Sequence, residues 1–349
     1  MMKNETVTRD IIADSLRGLG ITLVVTGHII AMFCENKTFP ESINLVSNYI
    51  YSFHMAFFFM IAGYVHGTKE RFSHGESCTP YIRKLMISIY LPCMYFSLCY
   101  WFPKFIVSLH SSFAESNTIS TASIDDLLKI PLCGFNLYWF LCSLFFVKSL
   151  HMLFERYISI RYIHSLFWVI LFSILFFMNE DDNVPMFFMQ FRYGLYFHLG
   201  FMMKRYNIII KNLSLGTALF LAGTVCFIAL RFYGMINIFT HTGNAIFISL
   251  AIFAVFYSLN IKNRYLVIFG EYSMVIYCLH EYIIVVSKII YTMSGLTSTV
   301  SKILLFVICT LCSMLIPLMI VYLYKNVKGF RWIEYIFYPG KYKRSPLPK

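Results

Sequence analysis

Three ionisable residues near the N-terminus have types and spacing that suggest chemistry: Asp14, Arg17 and His28. If they share a helix, His28 follows Arg17 by eleven residues, and at about 100° per residue the two side chains lie about 20° apart. Asp14 falls about 40° to the other side of His28, so all three occupy one stripe. At about 1.5 Å per residue, His28 lies about 16 Å further along the helix than Arg17. A guanidinium binds anions and an imidazole acts as a base near neutral pH, so the stripe combines both functions.

The same residues allow a simpler interpretation. Asp14 and Arg17 are three residues apart and would form an ion pair at the end of a helix without any further role. His28 would then hydrogen-bond inside a helix bundle. The sequence leaves both interpretations open.

Two further histidines, His54 and His280, are predicted at a similar depth to His28, and Glu281 follows His280 directly. Three converging histidines are a frequent metal-binding set. Because no HExxH or other local ligand spacing accompanies them, we predict no metal and favour proton transfer. For His54 and His280, orienting hydrogen bonds between helices remain an alternative.

Other cations lie in or beside apolar segments. Arg192 is predicted in the middle of a span, where it would face a cavity or meet a carboxylate such as Asp14 or Glu281. Arg83 and Lys84 open another span, and they would either anchor the chain at the membrane surface or, with Arg17, hold a phosphorylated ligand.

The composition identifies the elements that carry these residues. Of 349 residues, 58% are hydrophobic and only 13% are charged, whereas soluble domains average about 25% charged. This excludes a soluble globule, a disordered chain and a nucleic-acid-binding domain, so no nucleic-acid partner is expected. Most of the ten cysteines lie in apolar runs; Cys34 and Cys133 alone are predicted near the outer face, and one disulfide is conceivable without being implied.

Segments of about 20 apolar residues are long enough to cross a bilayer. The sequence predicts ten of them, at 15–35, 46–67, 84–108, 136–154, 160–178, 185–203, 213–231, 242–260, 270–291 and 301–324. Lys and Arg concentrate in alternate connections, so both termini are predicted to be cytoplasmic. The expected fold is an all-α integral membrane protein, a single domain over 1–349 with one bundle of ten helices in the cytoplasmic (inner) membrane. Residues 325–349 form a basic and aromatic cytoplasmic tail, and the oligomeric state stays open.

Five sequence blocks, in order, resemble the membrane-integral acyltransferase-3 family. The first-helix signature of that family is an arginine, ten residues and a histidine, which Arg17 and His28 match. The other blocks are Ser52–Tyr64, which includes His54; Arg83-Lys84 followed by Leu91-Pro92; Tyr138–Leu141, which includes Trp139; and Ile276–His280. The third-helix block often carries a second arginine, and Lys84 in its place lacks a bidentate fork.

The resemblance implies transfer of an acyl group, usually acetyl, from cytoplasmic acyl-CoA to a hydroxyl of an extracytoplasmic or lipid-linked glycan. On this interpretation His28 is the base or the acyl carrier, and Asp14 orients Arg17. Acetyl-CoA is the expected co-substrate. Its binding residues would be Arg17, Arg83 and Lys84, and the acceptor would contact His54, Trp139, Arg192 and His280.

Three alternatives remain. A multi-pass transporter or flippase of a lipid-linked glycan would show inverted repeats and paired broken helices, yet Pro92 and Pro317 interrupt predicted spans without symmetric context. A membrane acyltransferase of another type, acting on lipids or proteins, would also use a buried histidine. A member of the same family without catalytic activity would lack part of the His, Arg and Asp set, which is intact here.

Overall fold

The computed structural model describes residues 9–35, 41–67, 78–109, 122–157, 161–178, 186–233, 238–294 and 298–339. Within these ranges the chain is helical and contains no strand, which confirms the predicted all-α class. The helices are α1 (Ile11–Glu35), α2 (Glu41–His66), α3 (Thr79–Leu85), α4 (Leu91–Ser108), α5 (Ile124–Cys133), α6 (Trp139–Tyr157), α7 (Arg161–Met178), α8 (Met186–Met189), α9 (Gly194–Arg205), α10 (Leu213–Phe232), α11 (Ile238–Ser258), α12 (Arg264–Glu271), α13 (Ser273–Ser294), α14 (Thr299–Asn326) and α15 (Trp332–Phe337).

Long apolar helices make this a membrane protein. Among the described residues, seven helical stretches are long and apolar enough to cross a bilayer: Ile11–Phe33, Ile43–His66, Thr79–Ser108, Ile124–Tyr157, Leu213–Phe232, Ser273–Ser294 and Val300–Asn326. Two shorter apolar helices, Tyr162–Met178 and Thr242–Ser258, coincide with the predicted fifth and eighth spans. The count of ten spans and the cytoplasmic placement of both termini stay predictions.

The sixth predicted span, 185–203, is not one continuous helix. It consists of α8 and α9, with a turn at residues 190–193 between them. Interrupted backbone at membrane depth needs partners for its polar groups. The Ser143 hydroxyl of α6 donates to the carbonyl of Gln190, and the Gln190 side-chain amide donates to the carbonyl of Met186 at 3.2 Å. The sequence predicted Arg192 in the middle of a helical span, but the residue lies in this turn instead.

Pro92 widens the third span without breaking it. A π-helical turn at Met86–Tyr90 joins α3 to α4, and Pro92 is the second residue of α4. Proline lacks the backbone N–H that would bond to the preceding turn. A single π turn absorbs such a mismatch inside an otherwise continuous helix.

The contacts of the chain divide it into two compact units. Unit 1 consists of Met1–Arg71 and Gly194–Ser273, and unit 2 consists of Phe72–Tyr193 and Met274–Lys349. In unit 1, α2 packs against α1, α9 and α11, α1 packs against α12, and α10 pairs with α11. In unit 2, the α3–α4 stretch packs against α6, and α5 packs against α4 and α6.

Helices α1 and α12 touch backbone to backbone. A Cβ atom on Gly270 of α12 would overlap the carbonyl oxygen of Asp14, and one on Gly18 of α1 would overlap the carbonyl oxygen of Leu266. Only glycine permits this approach from both sides. The contact places α12 directly against the turn of α1 that carries Asp14 and Arg17.

The thiol of Cys133 is free and lies 3.1 Å from the carbonyl oxygen of Lys129. The side chain of Cys34, the other half of the conceivable disulfide, lies outside the described part of the chain.

Candidate active site

Asp14 and Arg17 are in contact in unit 1, as their spacing predicts. Arg17 Nη1 donates to Asp14 Oδ1 at 3.3 Å. A second arginine, Arg9, donates from Nε to the other carboxylate oxygen at 2.5 Å, and its Nη2 donates to Glu271 Oε2 at 3.1 Å. Asp14 is 8% exposed, whereas the Arg9 side chain is 56% exposed. These four residues form a charge chain, Glu271–Arg9–Asp14–Arg17, whose formal charges sum to zero.

The short helix α12 explains how Glu271 reaches this chain. Its N-terminus is capped by Asn263, whose side-chain oxygen accepts from the backbone N–H groups of Tyr265 and Leu266 at 2.9 and 3.2 Å. Its last turn packs on α1 through Gly270, so the next residue, Glu271, lies beside the start of α1. Neither Arg9 nor Glu271 was identified from the sequence, because their contact joins residues 262 positions apart.

His28 belongs to a cluster of three rings, His28–Tyr51–His54. The His28 Nδ1 and the Tyr51 hydroxyl are 2.7 Å apart. The His54 ring lies edge-on to both, with centroids 4.9 Å from Tyr51 and 6.3 Å from His28. The structure therefore brings together two of the predicted site histidines and adds a tyrosine that the sequence did not identify.

A polar partner orients each histidine ring of this cluster. His54 is buried, and its Nδ1 lies 2.9 Å from the carbonyl oxygen of Ile50. A carbonyl only accepts, so Nδ1 carries the proton and Nε2 is the basic nitrogen. In His28, Nδ1 lies 2.7 Å from the Tyr51 hydroxyl, and this contact holds the orientation of the ring.

A second polar cluster in unit 1 centres on Asp10, just before α1. Asp10 Oδ2 accepts from Lys204 Nζ at 3.0 Å, from the Tyr257 hydroxyl at 2.9 Å and from the Tyr64 hydroxyl at 3.3 Å, while Oδ1 accepts from the Ala13 backbone at 3.1 Å. The four side chains come from the start of α1 and from α2, α9 and α11. Asp10 therefore ties the first turn of α1 to three other helices.

Burial opposes the charge on Asp10, but the hydrogen bonds from Lys204, Ala13 and Tyr257 outweigh it and lower the pKa of the carboxyl. Burial also opposes the charge on Lys204, yet Asp10 and Tyr64 raise the pKa of its amine. The stabilisation from Asp10 is therefore present above the unfolded-state pKa of about 3.9 and is lost as the pH falls through the lower folded-state value. The stabilisation from Lys204 is present below about pH 10.4 and is lost as the pH rises through the raised folded-state value.

We expect Asp10→Asn to lower the free energy of unfolding by about 2 kcal/mol near neutral pH, because bonds to a charged group are lost. The difference from wild type should shrink as the pH falls from the unfolded-state pKa of about 3.9 through the lowered pKa of the folded Asp10 carboxyl. Thermal unfolding of both proteins in detergent, from neutral pH down to acidic pH, measures this difference in stability. The exposed Asp125→Asn is the control, and a wild-type-minus-variant difference that does not change with pH would contradict this assignment.

Unit 2 holds the other predicted site residues. Arg83 and Lys84 are exposed in the last turn of α3. Trp139 begins α6, and its ring lies 5.4 Å from that of Tyr193. The Arg192 guanidinium lies 5.3 Å from the same Tyr193 ring, and no carboxylate in the described part of unit 2 pairs with it. Trp139 and Arg192 are thus brought together by Tyr193, which the sequence did not identify.

His280 is fully buried in α13, with Nδ1 2.7 Å from the carbonyl oxygen of Tyr277. The carboxylate of Glu281, the next residue, is 9% exposed and accepts at Oε1 from the Tyr100 hydroxyl at 2.6 Å and from Asn136 Nδ2 at 3.3 Å. Asn136 adopts a positive φ of 51° in the tight turn after Gly134, whose φ is 70°. That turn directs the chain from α5 into α6 and places Asn136 one turn before Trp139.

Comparison with known proteins identifies the family. No curated protein and no solved structure matches the chain. One family model does, the acyltransferase domain of the acyltransferase-3 family, and the match extends over residues 11–322. These residues include the stripe on α1, the three-ring cluster and the polar groups of α13. This protein belongs to the acyltransferase-3 family.

Proposed function

We propose that this membrane acyltransferase transfers an acyl group, above all acetyl, from cytoplasmic acyl-CoA to a hydroxyl of an extracytoplasmic or lipid-linked glycan. The observation that carries the proposal is His28, which shares one helix stripe with Arg17 and whose Nδ1 is occupied by Tyr51. In a chain of this family, we assign the transfer chemistry to the His28 imidazole, with Nε2 as the reacting nitrogen. The same proposal places the protein in the cytoplasmic membrane, with the N-terminal end of α1 on the cytoplasmic side.

The donor carries phosphates, which need cations. Arg17, Arg83 and Lys84 are the residues proposed to bind them. The Arg17 guanidinium offers a planar fork, whereas the Lys84 ammonium acts as a point charge. Asp14 holds one edge of Arg17 and thereby orients the remaining donors. Acyl-CoA fits these residues by charge and chemistry.

The transfer requires a base that removes the proton of the acceptor hydroxyl, and this proton must finally reach the thiolate that leaves. In direct transfer, His28 Nε2 takes the proton of the acceptor hydroxyl, the oxygen attacks the thioester carbonyl, the C–S bond breaks, and the thiolate receives the proton. In covalent transfer, Nε2 first attacks the thioester carbonyl, the C–S bond breaks and CoA leaves as a thiolate. The acceptor hydroxyl then attacks the acyl carbon, the C–N bond to the imidazole breaks, and the hydroxyl proton neutralises the thiolate. Both routes convert a thioester and an alcohol into an ester and a thiol.

The remaining residues are proposed to serve the acceptor and the developing oxyanion. His54 and His280 each hold a ring orientation through a backbone carbonyl and would stabilise charge or bind acceptor hydroxyls. Trp139 offers an aromatic face, and Arg192 lies beside it on Tyr193. No metal is part of this proposal.

A comparison of surface glycans tests the function. Glycans from strains with and without the gene are compared by mass, and loss of an acetyl increment in the deletion strain is expected. Complementation with the wild-type gene should restore the increment. Identical glycan masses in both strains, together with altered amounts of glycan at the surface, would instead support the transporter alternative.

Arg17→Ala is expected to raise the KM for acyl-CoA by about 10- to 100-fold, because a charge-assisted phosphate contact is lost. Arg17→Lys should recover part of this, since it keeps the charge without the fork. Titration of the purified protein with acyl-CoA measures the effect. Arg231→Ala, at an exposed position on α10, is the control; an unchanged KM in Arg17→Ala would remove Arg17 from the cofactor site.

A further inference from the structure

Glu281 is a carboxylate on a membrane-spanning helix that the proposed donor chemistry does not use. It is 9% exposed and lies in α13. An acidic side chain at such depth is costly unless partners or a function compensate for it. The question is therefore what its two oxygens contact.

The two oxygens differ sharply. Oε1 accepts from the Tyr100 hydroxyl at 2.6 Å and from Asn136 Nδ2 at 3.3 Å. No described residue hydrogen-bonds to Oε2, and this atom is not fully enclosed by the protein. Oε1 is thus fixed by two hydrogen bonds, whereas Oε2 can accept a hydrogen bond from a ligand.

The surroundings of Glu281 are aromatic and partly open. Lys104 Nζ lies 4.3 Å from the centroid of the Tyr100 ring and 5.9 Å from that of Phe135. Asn136 is exposed, so the bonded network around Glu281 reaches the surface of the chain. One turn further on, Trp139 packs on Tyr193. A carboxylate acceptor beside aromatic faces suits a molecule that has both hydroxyl groups and apolar C–H faces.

We propose that Glu281 binds a hydroxyl group of the saccharide acceptor through Oε2, with Tyr100 and Asn136 positioning the carboxylate. The inference rests on the proposed function and adds the residue that selects the acceptor. An ionised carboxylate accepts a short, charge-assisted bond from a hydroxyl, about twice as strong as a neutral one. A hydrocarbon chain offers Oε2 no donor, so the site favours a saccharide over a lipid tail.

Kinetics of the purified full-length protein test this inference. The acceptor is polysaccharide prepared from a strain that lacks the gene, and the donor is acetyl-CoA. Glu281→Gln keeps the size and one accepting oxygen but removes the negative charge. It is expected to raise the KM for the polysaccharide about tenfold or more while leaving the KM for acetyl-CoA unchanged.

Two variants separate a binding role from a structural one. Tyr100→Phe removes the hydroxyl that holds Oε1 and should raise the acceptor KM by a smaller factor, again without changing the acetyl-CoA KM. Glu334→Gln alters a half-buried carboxylate on α15 of the same unit and should change neither constant. A merely structural role for Glu281 would lower the unfolding midpoint and affect both KM values together.

The outcomes are distinct. If the wild type acetylates the polysaccharide, and Glu281→Gln and Tyr100→Phe both have the same acceptor KM as the wild type, this inference is overturned and the proposed function stands. If Glu281→Gln fails to fold, Tyr100→Phe decides by the same criterion. If the wild type transfers no acetyl group to the polysaccharide, the proposed function fails, and this inference fails with it.

Discussion

His28→Ala is expected to lower the rate of acyl transfer by about 10²- to 10⁴-fold, the range that a general base contributes. The substitution removes Nε2 and also the ring that contacts Tyr51 and His54. Acyl-CoA binding should stay within about twofold of wild type, because the proposed phosphate contacts involve other residues. Turnover with acetyl-CoA and polysaccharide acceptor, and equilibrium binding of CoA, measure the two effects.

A matched variant sharpens this test. His28→Asn places a polar atom near the position of Nδ1, so it can retain a bond to Tyr51, but it has no atom in place of Nε2. It should therefore be as inactive as His28→Ala while unfolding at a midpoint closer to that of wild type. Normal transfer by either variant would exclude His28 as base and as acyl carrier.

Gly270→Ala is expected to cause the largest structural loss, roughly 3 kcal/mol or more of unfolding free energy. The added Cβ would overlap the carbonyl oxygen of Asp14, a backbone atom that cannot move to another rotamer. Intrinsic propensity alone predicts the opposite, since alanine favours a helix by about 1 kcal/mol over glycine. The unfolding midpoint in detergent should therefore fall if the backbone clash dominates and rise if helix propensity dominates.

The control for this substitution is Gly329→Ala, because a Cβ at Gly329 would have no atom within 4 Å. Its midpoint should stay close to wild type. Displacement of α12 in Gly270→Ala should also separate Glu271 from Arg9 and weaken acyl-CoA binding through Arg17. A Gly270→Ala protein as stable as wild type would rule out the close packing of α1 and α12.

The sequence was sufficient for features that depend on one helix alone. The period of an α-helix places Asp14, Arg17 and His28 on one stripe, and the Asp14–Arg17 contact follows from their three-residue spacing. The all-α class and membrane character follow from composition, and five sequence blocks in order, including the spacing of Arg17 and His28, indicated the family that the family model confirms.

Features that depend on two helices lay beyond the sequence. Tyr51 reaches His28 from 23 positions away, and Glu271 reaches Arg9 from 262 positions away, and no local rule relates such pairs. The turn at 190–193 was missed because the hydropathy of 185–203 resembles that of a continuous span. What permits the interruption is a hydroxyl on another helix, Ser143, which satisfies the carbonyl of Gln190.

The charge chain Glu271–Arg9–Asp14–Arg17 bears on how quickly the protein could release its product under the proposed function. Because Asp14 already shares the charge of Arg17, a phosphate gains less from this arginine than from an unpaired one. The product CoA carries the same phosphates as acyl-CoA, so residues that bind the donor tightly would also bind the product tightly. On the proposed function, Asp14 therefore weakens the binding of CoA, shortens its residence time and sets how soon the next donor can enter.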